Sequence, residues 1–324
     1  MTSLIAPPTR RTPSASLAAA PKWLLPAIFL VVLVIVFSLT SSWFLSGFNV
    51  YSIGQSFALS GLIAAGIALT MMVGEIDLSV AANASVAGII ALTLGDGQPV
   101  IGVVAAVAVG AVVGIFNGLV MVLFDLSSLV VTVATLVMLT GLAYLLASGN
   151  AVVTDDFATG EWLDQQLLTI LSPRLLITIV VLIGLGLTLR FTRFGRDILA
   201  TGSARKSAGA AGVRTQRTIV GVFTLSGVCA ALGGSLLAFS LASVPPTVNG
   251  NLLLQAVTIA IVGGIALSGG TGSMTGVALG AAILVVLANG LASIGATTAA
   301  VSLVTGVVLF IFLMINRQPA RPLQ

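Results

Sequence analysis

The chain contains uninterrupted apolar runs that are too long for a soluble domain. Between residues 100 and 146, the only ionisable side chains are those of Asp125 and Tyr144. This run is about twice as long as the ~20 residues that a helix needs to cross a bilayer. Charged residues make up 7% of the chain, against roughly 25% in a typical globular protein. The sequence therefore predicts an all-α membrane protein, a polytopic bundle of transmembrane helices.

Ten apolar runs, separated by charges or turn residues, are predicted to cross the membrane. They cover residues 23–40, 57–73, 78–94, 100–124, 127–146, 175–189, 218–241, 252–267, 274–292 and 299–315. The first run is longer than the roughly 7 to 15 residues of a cleavable signal-peptide core, so we interpret it as an uncleaved span. A single transmembrane domain then occupies residues 23–316, between tails at 1–22 and 317–324.

The distribution of basic residues predicts the orientation of these spans. With a cytoplasmic amino terminus, twelve of the 13 basic residues fall inside and only Arg174 falls outside, as the positive-inside rule requires. The inside residues are Arg10, Arg11, Lys22, Arg190, Arg193, Arg196, Arg205, Lys206, Arg214, Arg217, Arg317 and Arg321. Both tails and the loop at 190–217 are thus predicted to be cytoplasmic. The loop at 147–174 is predicted to be external, with a short surface helix near 161–171.

Missing residue types exclude several kinds of function. The net charge is only +4 and the basic residues lie between apolar runs, so nucleic acid is not an expected partner. The chain has no histidine, and its one cysteine, Cys229, cannot form an intrachain disulfide. Neither of its lysines, Lys22 and Lys206, lies in a phosphate-binding glycine loop. We therefore predict no catalytic site, no metal, no cofactor and no ATP hydrolysis by this chain.

The spans also lack the buried charges with which ion-coupled carriers usually work. The acidic residues nearest an apolar core, Glu75, Asp77 and Asp125, fall at predicted helix ends. A transporter of this composition is expected to take its energy from another subunit, although sodium held by backbone atoms stays open as an alternative.

A few small and polar residues interrupt the apolar spans. Glycines four residues apart, as at Gly110 and Gly114, favour close helix packing, and a second series comprises Gly272, Gly276 and Gly280. Six polar residues either line a solute path or form hydrogen bonds between helices. They are Asn83, Ser85, Asn117, Thr132, Thr135 and Asn289. Residues 73–79 and 262–268 are identical at five of seven positions. Both segments end a span on the same side, so they do not indicate an inverted repeat.

Small residues in the cytoplasmic loop predict a short helix at 204–211. Ser203 is a suitable N-cap, and Gly212 can end the helix in the left-handed conformation. Small side chains suit insertion into a cleft of another protein. A basic loop that sets topology and contacts anionic lipid headgroups explains the same residues, so both interpretations stay open at this point.

Several motifs occur together along the chain. Residues 74–80 read Gly-Glu-Ile-Asp-Leu-Ser-Val, close to the pattern G-G-I-D-L-S-V-G, and a Gly-rich turn covers 263–264 and 269–273. Further matches lie at residues 117–118, 129–138, 141–146, 195–196, 202, 210–213 and 276–280. Taken in this order, the motifs resemble the membrane permease subunits of bacterial ABC importers for ribose, xylose, galactose and related sugars.

The sequence departs from that family's pattern at several positions. Glu75 stands at a usual glycine, Ser127 and Ser128 at two common prolines, Ser203 at a frequent asparagine, and Leu253 and Gln255 at two frequent acidic residues. These departures leave the expected fold and class unchanged.

The resemblance implies a vitamin-B12-importer-type permease fold in the bacterial inner membrane. It further implies a second permease subunit, identical or not, ATP-binding-cassette ATPase subunits on the cytoplasmic loops, and an external solute-binding protein. The helix at 204–211 would be the coupling helix. The ATPase-coupling residues that it implies are Gly195, Arg196, Gly202, Ser203, Arg205, Lys206, Ala208 and Gly212.

The expected function is therefore to form the translocation path for a neutral sugar or related polyol. Three alternatives remain: a permease for branched-chain amino acids or another small solute, a secondary transporter or channel acting alone, and a membrane scaffold without transport activity.

Overall fold

The structure, a computed structural model, describes residues 23–247 and 250–315. The predicted tails at 1–22 and 317–324 lie outside these residues. The helices are α1 (Leu24–Thr40), α2 (Gly47–Met72), α3 (Val80–Gly95), α4 (Pro99–Phe124), α5 (Ser128–Leu146), α6 (Ala158–Asp164), α7 (Pro173–Phe191), α8 (Arg193–Ser203), α9 (Arg205–Ala210), α10 (Thr215–Leu241), α11 (Gly250–Val262), α12 (Met274–Ser293) and α13 (Thr298–Ile315). Two short strands, β1 (Val152–Val153) and β2 (Ser243–Val244), pair antiparallel.

Seven of the described helices are long and apolar enough to cross a membrane: α2, α4, α5, α7, α10, α12 and α13. The helices α1 and α3 and most of α11 are apolar but shorter. Large apolar side chains are exposed along α4, α5, α7 and α13, including Leu123 at 71% and Leu303 at 72%. A soluble monomer rarely exposes so much contiguous apolar surface, so the chain is an all-α, multi-pass membrane protein.

Helix α10 lies at the centre of the bundle and packs along α2, α3 and α4. Its contact with α4 depends on glycine, as the sequence predicted. A β-carbon at Gly114 would overlap the Phe223 carbonyl oxygen, and one at Gly227 would overlap the Gly110 carbonyl oxygen. The two backbones therefore touch over more than one turn, which supplies dispersion contacts where lipid provides no hydrophobic drive between helices.

The second glycine series behaves as predicted in part. Gly276 and Gly280 of α12 face Ile259 of α11 and Gly263, the residue that follows α11, with no room for a β-carbon at either α12 position. Gly272 is different, because it precedes α12 with a positive φ of 157°, and a β-carbon there would overlap the side chains of Ile265 and Met72. It therefore belongs to a turn and not to the packing stripe.

The similar segments at 73–79 and 262–268 form neighbouring turns at one end of the bundle. Helix α2 ends because Gly74 adopts a φ of 81°, and α11 ends because Gly264 adopts a φ of 84°, conformations that glycine tolerates best. This second turn stops α11 at Val262, so the span predicted to reach residue 267 is too long. The Met72 carbonyl accepts a hydrogen bond from Gly270 N at 2.8 Å, which joins the two turns.

The opposite end of the bundle carries β1, β2 and the short helix α6. The surface helix predicted near 161–171 is wrong in extent, because α6 covers Ala158–Asp164. The next residues form a tight reversal in which Leu167 and Leu171 pair through their backbones. Gly160 anchors α6 on α10, since a β-carbon there would overlap the Phe239 carbonyl oxygen.

Candidate functional site

The segment predicted as a cytoplasmic loop is largely helical. Helix α8 begins after Thr192, whose hydroxyl accepts a hydrogen bond from Gly195 N at 3.2 Å. The buried face of α8, which includes Ile198 and Thr201, packs on the bundle. The helix continues through Ser203. The Ser203 hydroxyl donates to the Leu199 carbonyl at 2.8 Å within α8. The prediction that Ser203 caps the following helix is therefore wrong; Ala204 precedes α9 and offers no side-chain cap.

Helix α9 presents a face of small residues. Ala208 is only 7% exposed and packs against its own chain, so it does not belong to that face. Besides Arg205, the exposed residues of α9 are Lys206, Ser207, Gly209 and Ala210, and we call these four the exposed face of α9. A β-carbon at Gly209 would meet no atom within 4 Å. Gly212 follows with a φ of 87°, so it ends this segment in the left-handed conformation, as predicted.

Arg205, the first residue of α9, forms an ion pair with Glu75 in the connection between α2 and α3. The Arg205 side chain is 46% exposed and that of Glu75 is 14% exposed. The sequence gives no sign of this pair, although Glu75 stands where the resembled family usually has glycine. The pair ties α9 to the connection that follows α2.

Gly202 lies where three segments meet backbone to backbone. A β-carbon at this position would overlap the Met72 carbonyl oxygen at the end of α2 and would crowd Gly270 N in the turn before α12. Gly195 is enclosed in the same way by the backbone of Leu189, whereas Arg196 is exposed. Helix α8 is therefore held directly against both α2 and the turn before α12.

Asp77, in the connection between α2 and α3, is the centre of a buried polar network. It is 1% exposed; its Oδ1 accepts from the Ser79 amide at 3.0 Å and the Ser79 hydroxyl at 2.6 Å. Its Oδ2 accepts from the Ser226 hydroxyl of α10 at 2.9 Å. Burial raises the pKa of Asp77, and the hydrogen bonds from Ser79 and Ser226 only partly oppose that rise.

The network continues from Ser79 into α4 and α5. Asn117 donates through Nδ2 to the Ser79 hydroxyl at 2.9 Å, and its Oδ1 accepts from Thr135 at 2.6 Å. We name Asp77, Ser79, Asn117, Thr135 and Ser226 the buried polar network. It links α3, α4, α5 and α10 at the end of the bundle that carries α9.

The other polar residues predicted for a path are distributed differently. Thr132 bonds to the Ser128 carbonyl at 2.7 Å and lies beside the network, while Asn83 of α3 donates to the Gly227 carbonyl at 3.2 Å. Ser85 bonds only within α3, to Ala81. Asn289 of α12 exchanges two hydrogen bonds with Asn49 of α2, at 2.9 and 3.0 Å. The structure thus brings together Asn117, Thr132 and Thr135, but not Ser85 or Asn289.

A second polar cluster, at the opposite end of the bundle, was not anticipated from the sequence. Arg174, only 8% exposed, forms an ion pair with Asp164 at 2.8 Å and donates through Nε to Gln55 Oε1 at 3.0 Å. Ser172 and Ser240 also bond to this cluster. The sequence feature that could have indicated this cluster is Arg174 itself, because it is the one basic residue on the otherwise acidic external side of the predicted topology.

Comparison with known proteins gives the class of this bundle. A family model described as "Branched-chain amino acid transport system / permease component" matches residues 49–313, most of the chain and all the elements described above except α1. The chain belongs to this permease family. No solved structure matches this permease significantly.

Curated relatives of the permease carry transport names. It is 32% identical to the L-arabinose transport system permease protein AraH of Escherichia coli (strain K12) over 239 residues, 72% of this chain and 71% of that protein. It is 31% identical to the ribose import permease protein RbsC of Bacillus subtilis (strain 168) over 297 residues, 90% and 92% of the two chains. It is 32% identical to the autoinducer 2 import system permease protein LsrC of Yersinia pestis (strain Pestoides F) over 168 residues, 51% and 47%.

Proposed function

We propose that this permease is the membrane-spanning subunit of an ABC importer that carries a neutral sugar or related polyol. The observation that carries this proposal is the match to the ribose import permease, which extends over 90% of this chain and 92% of that one. The arabinose permease adds a second sugar importer at similar identity. The chain itself is not an enzyme; a separate ATPase subunit hydrolyses ATP.

The proposed assembly contains two permease subunits, identical or not, two cassette ATPase subunits and an external solute-binding protein, in the bacterial inner membrane. All ten apolar helices, including the shorter α1, α3 and α11, cross the membrane in a vitamin-B12-importer-type fold. Both termini and the α8–α9 segment are cytoplasmic. The asymmetry of the basic residues supports this orientation, and the apparent exception, Arg174, is neutralised by Asp164.

The exposed face of α9 docks in a cleft of the ATPase subunit. Its small side chains permit close approach, and Lys206 at its edge suits an acidic rim. Motion of the ATPase then reaches the bundle by two rigid routes: through Gly202 to Met72 and Gly270, and through Arg205 to Glu75. Both routes act on the end of α2, and the first also acts on the turn before α12. Packed helices respond to such a push by moving as rigid bodies.

The solute path is proposed to involve the half-buried Ser85 and Asn289. Asn83, Asn117, Thr132 and Thr135 are fully buried and hydrogen bonded, so we assign them to helix packing. A path without fixed charges suits a neutral polyhydroxylated solute, whose affinity then resides in the binding protein. An amino acid would require compensating charges or helix termini.

Branched-chain amino acids remain the second candidate solute, because the family description names them. The two candidates are separated by uptake in cells that express the permease together with its ATPase and binding-protein partners. We expect saturable uptake of labelled arabinose, ribose or a related sugar, and none of labelled leucine. Leucine uptake without sugar uptake would refute the proposed solute while leaving the permease assignment intact.

A further inference from the structure

An apolar groove lies between α7, α8 and the start of α12. It has a volume of about 530 Å³ and is lined by side chains that include Ile183, Leu187, Leu199, Met274 and Ala278. Gly186 leaves one wall open, since a β-carbon there would approach Met274 Cβ only to an ordinary 3.5 Å. The groove opens on the surface of α7, where Ile183 and Leu187 are exposed. Its walls therefore suit a hydrocarbon chain.

A positive charge stands at one end of this apolar groove. Arg190, in the last turn of α7, lines the groove and is exposed. Within the described part of the chain Arg190 has no acidic partner; its guanidinium lies 5.4 Å from the ring of Phe191. The hydroxyls of Ser273 and Thr275 line the same groove. A ligand that fills it must combine an apolar tail with an anionic, hydrogen-bonding head.

We propose that this groove binds one anionic phospholipid, with an acyl chain between α7 and α12 and the phosphate at Arg190. Arginine binds phosphate with two charge-assisted hydrogen bonds, which are stronger than neutral ones. The position also fits the proposed orientation, in which Arg190 lies at the cytoplasmic leaflet, where anionic lipids supply negative charge. The bound lipid bridges α7 and α12 beside α8, independently of the transported solute.

A second apolar groove, which has no charged lining, shows by comparison what Arg190 adds to the first. It lies at the other end of the bundle between α4, α6, α7 and α10, has a volume of about 430 Å³, and is lined by residues such as Val104, Trp162 and Leu236. No charged side chain lines it. Both grooves accept hydrocarbon, but only the groove at Arg190 has the charge to select an anionic head.

The test is native mass spectrometry of the purified permease with palmitoyl-oleoyl phosphatidylglycerol or phosphatidylcholine, which share acyl chains and differ in headgroup charge. We expect phosphatidylglycerol to bind about tenfold more tightly, the effect of one charged hydrogen bond. Arg190→Gln should abolish this preference. Arg193→Gln, an equal loss of charge three residues away and outside the groove, should leave it unchanged.

A second matched pair of variants tests whether the acyl chain lies in the groove. Gly186→Leu fills the groove and should reduce retention of both lipids, whereas Gly184→Leu, on the same helix where a β-carbon meets no atom within 4 Å, should not. Equal binding of the two lipids, or equal effects of Arg190→Gln and Arg193→Gln, would overturn the proposal. So would a change in oligomeric state on Gly186→Leu with lipid binding unaltered, because the groove would then be an interface between copies.

Discussion

Asp77 joins Ser79, at the start of α3, to Ser226 of α10. It is buried, accepts three hydrogen bonds, and forms no ion pair with any residue in the described ranges. A buried carboxylate without a counter-charge is costly, so its value must lie in the donors that it satisfies. The Ser79 amide is the important one, because a backbone donor cannot rotate away to find another acceptor.

Substituting Asp77 separates the role of its charge from that of its hydrogen bonds. Asp77→Asn keeps an acceptor for Ser79 and removes the buried charge, so we expect thermal stability in detergent close to that of the unaltered protein. Asp77→Leu leaves the Ser79 amide without an acceptor and should cost about 1 to 3 kcal/mol. Equal destabilisation by both variants would show that the carboxylate charge itself is required.

At the scale of helices, close approach at glycine decides which elements pack. Gly114 and Gly110 bring α4 into backbone contact with α10. The same logic fixes α8, which Gly195 and Gly202 hold against Leu189 and Met72. Helix α9 is the contrast, since Ser207, Gly209 and Ala210 are exposed and a β-carbon at Gly209 would meet no atom within 4 Å. Small residues that are left exposed in this way are the reason to propose docking there.

The glycine contact between α4 and α10 predicts a strong effect at Gly114. Gly114→Leu must push the two helices apart, which should cost at least the roughly 1 to 3 kcal/mol typical of overpacking. Gly141→Leu on α5 is the matched control, because a β-carbon there meets no atom within 4 Å. The measurement is the apparent melting temperature in detergent, and similar temperatures for the two variants would contradict the packing described here.

The apolar runs of the sequence predicted the helices α4, α5 and α13 to within one residue at each end. They missed the first turns of α2, whose residues Asn49, Tyr51 and Gln55 are polar and suggest a loop. Those side chains bond to Asn289, Asp164 and Arg174 on other helices. A polar residue satisfied by a distant helix cannot be distinguished locally from one satisfied by water.

For the candidate site, the sequence predicted which residue types are present but not which of them face outward or pair with other segments. The sequence identified the small-residue helix and its end at Gly212, but which residues face outward depends on how α9 packs, and that packing buries Ala208. The pairing of Arg205 with Glu75 joins residues 130 positions apart in sequence. No spacing rule within one helix could reveal it. The polar cluster around Arg174 was missed for the same reason.

At the scale of the whole molecule, the two ends of the bundle differ in charge and construction. One end carries α8, α9 and exposed basic residues such as Arg193, Arg196 and Arg214. The other carries α6, the β1–β2 pair and exposed acidic residues such as Asp155 and Glu161. The two ends of the bundle therefore present surfaces of opposite charge.

Labelling of single cysteines tests the proposed orientation. With the buried Cys229 replaced by alanine, Asp155→Cys and Ser207→Cys place reactive thiols at exposed positions at the two ends. An impermeant maleimide added to intact cells, after permeabilisation of any outer membrane, should label position 155 only. Position 207 should react only once the inner membrane is also opened. Labelling of position 207 in intact cells would reverse the orientation.

We propose that a separate ATPase drives this permease through the exposed face of α9, and uptake into proteoliposomes tests this claim. Sugar uptake should require the ATPase subunit, the binding protein and ATP together. Gly209→Trp should reduce it roughly 5- to 150-fold, the effect of about 1 to 3 kcal/mol of overpacking at the docking site. Lys206→Ala should retain most activity, since exposed ion pairs contribute little. Uptake by the permease alone, or full ATP-driven uptake by Gly209→Trp, would contradict the claim.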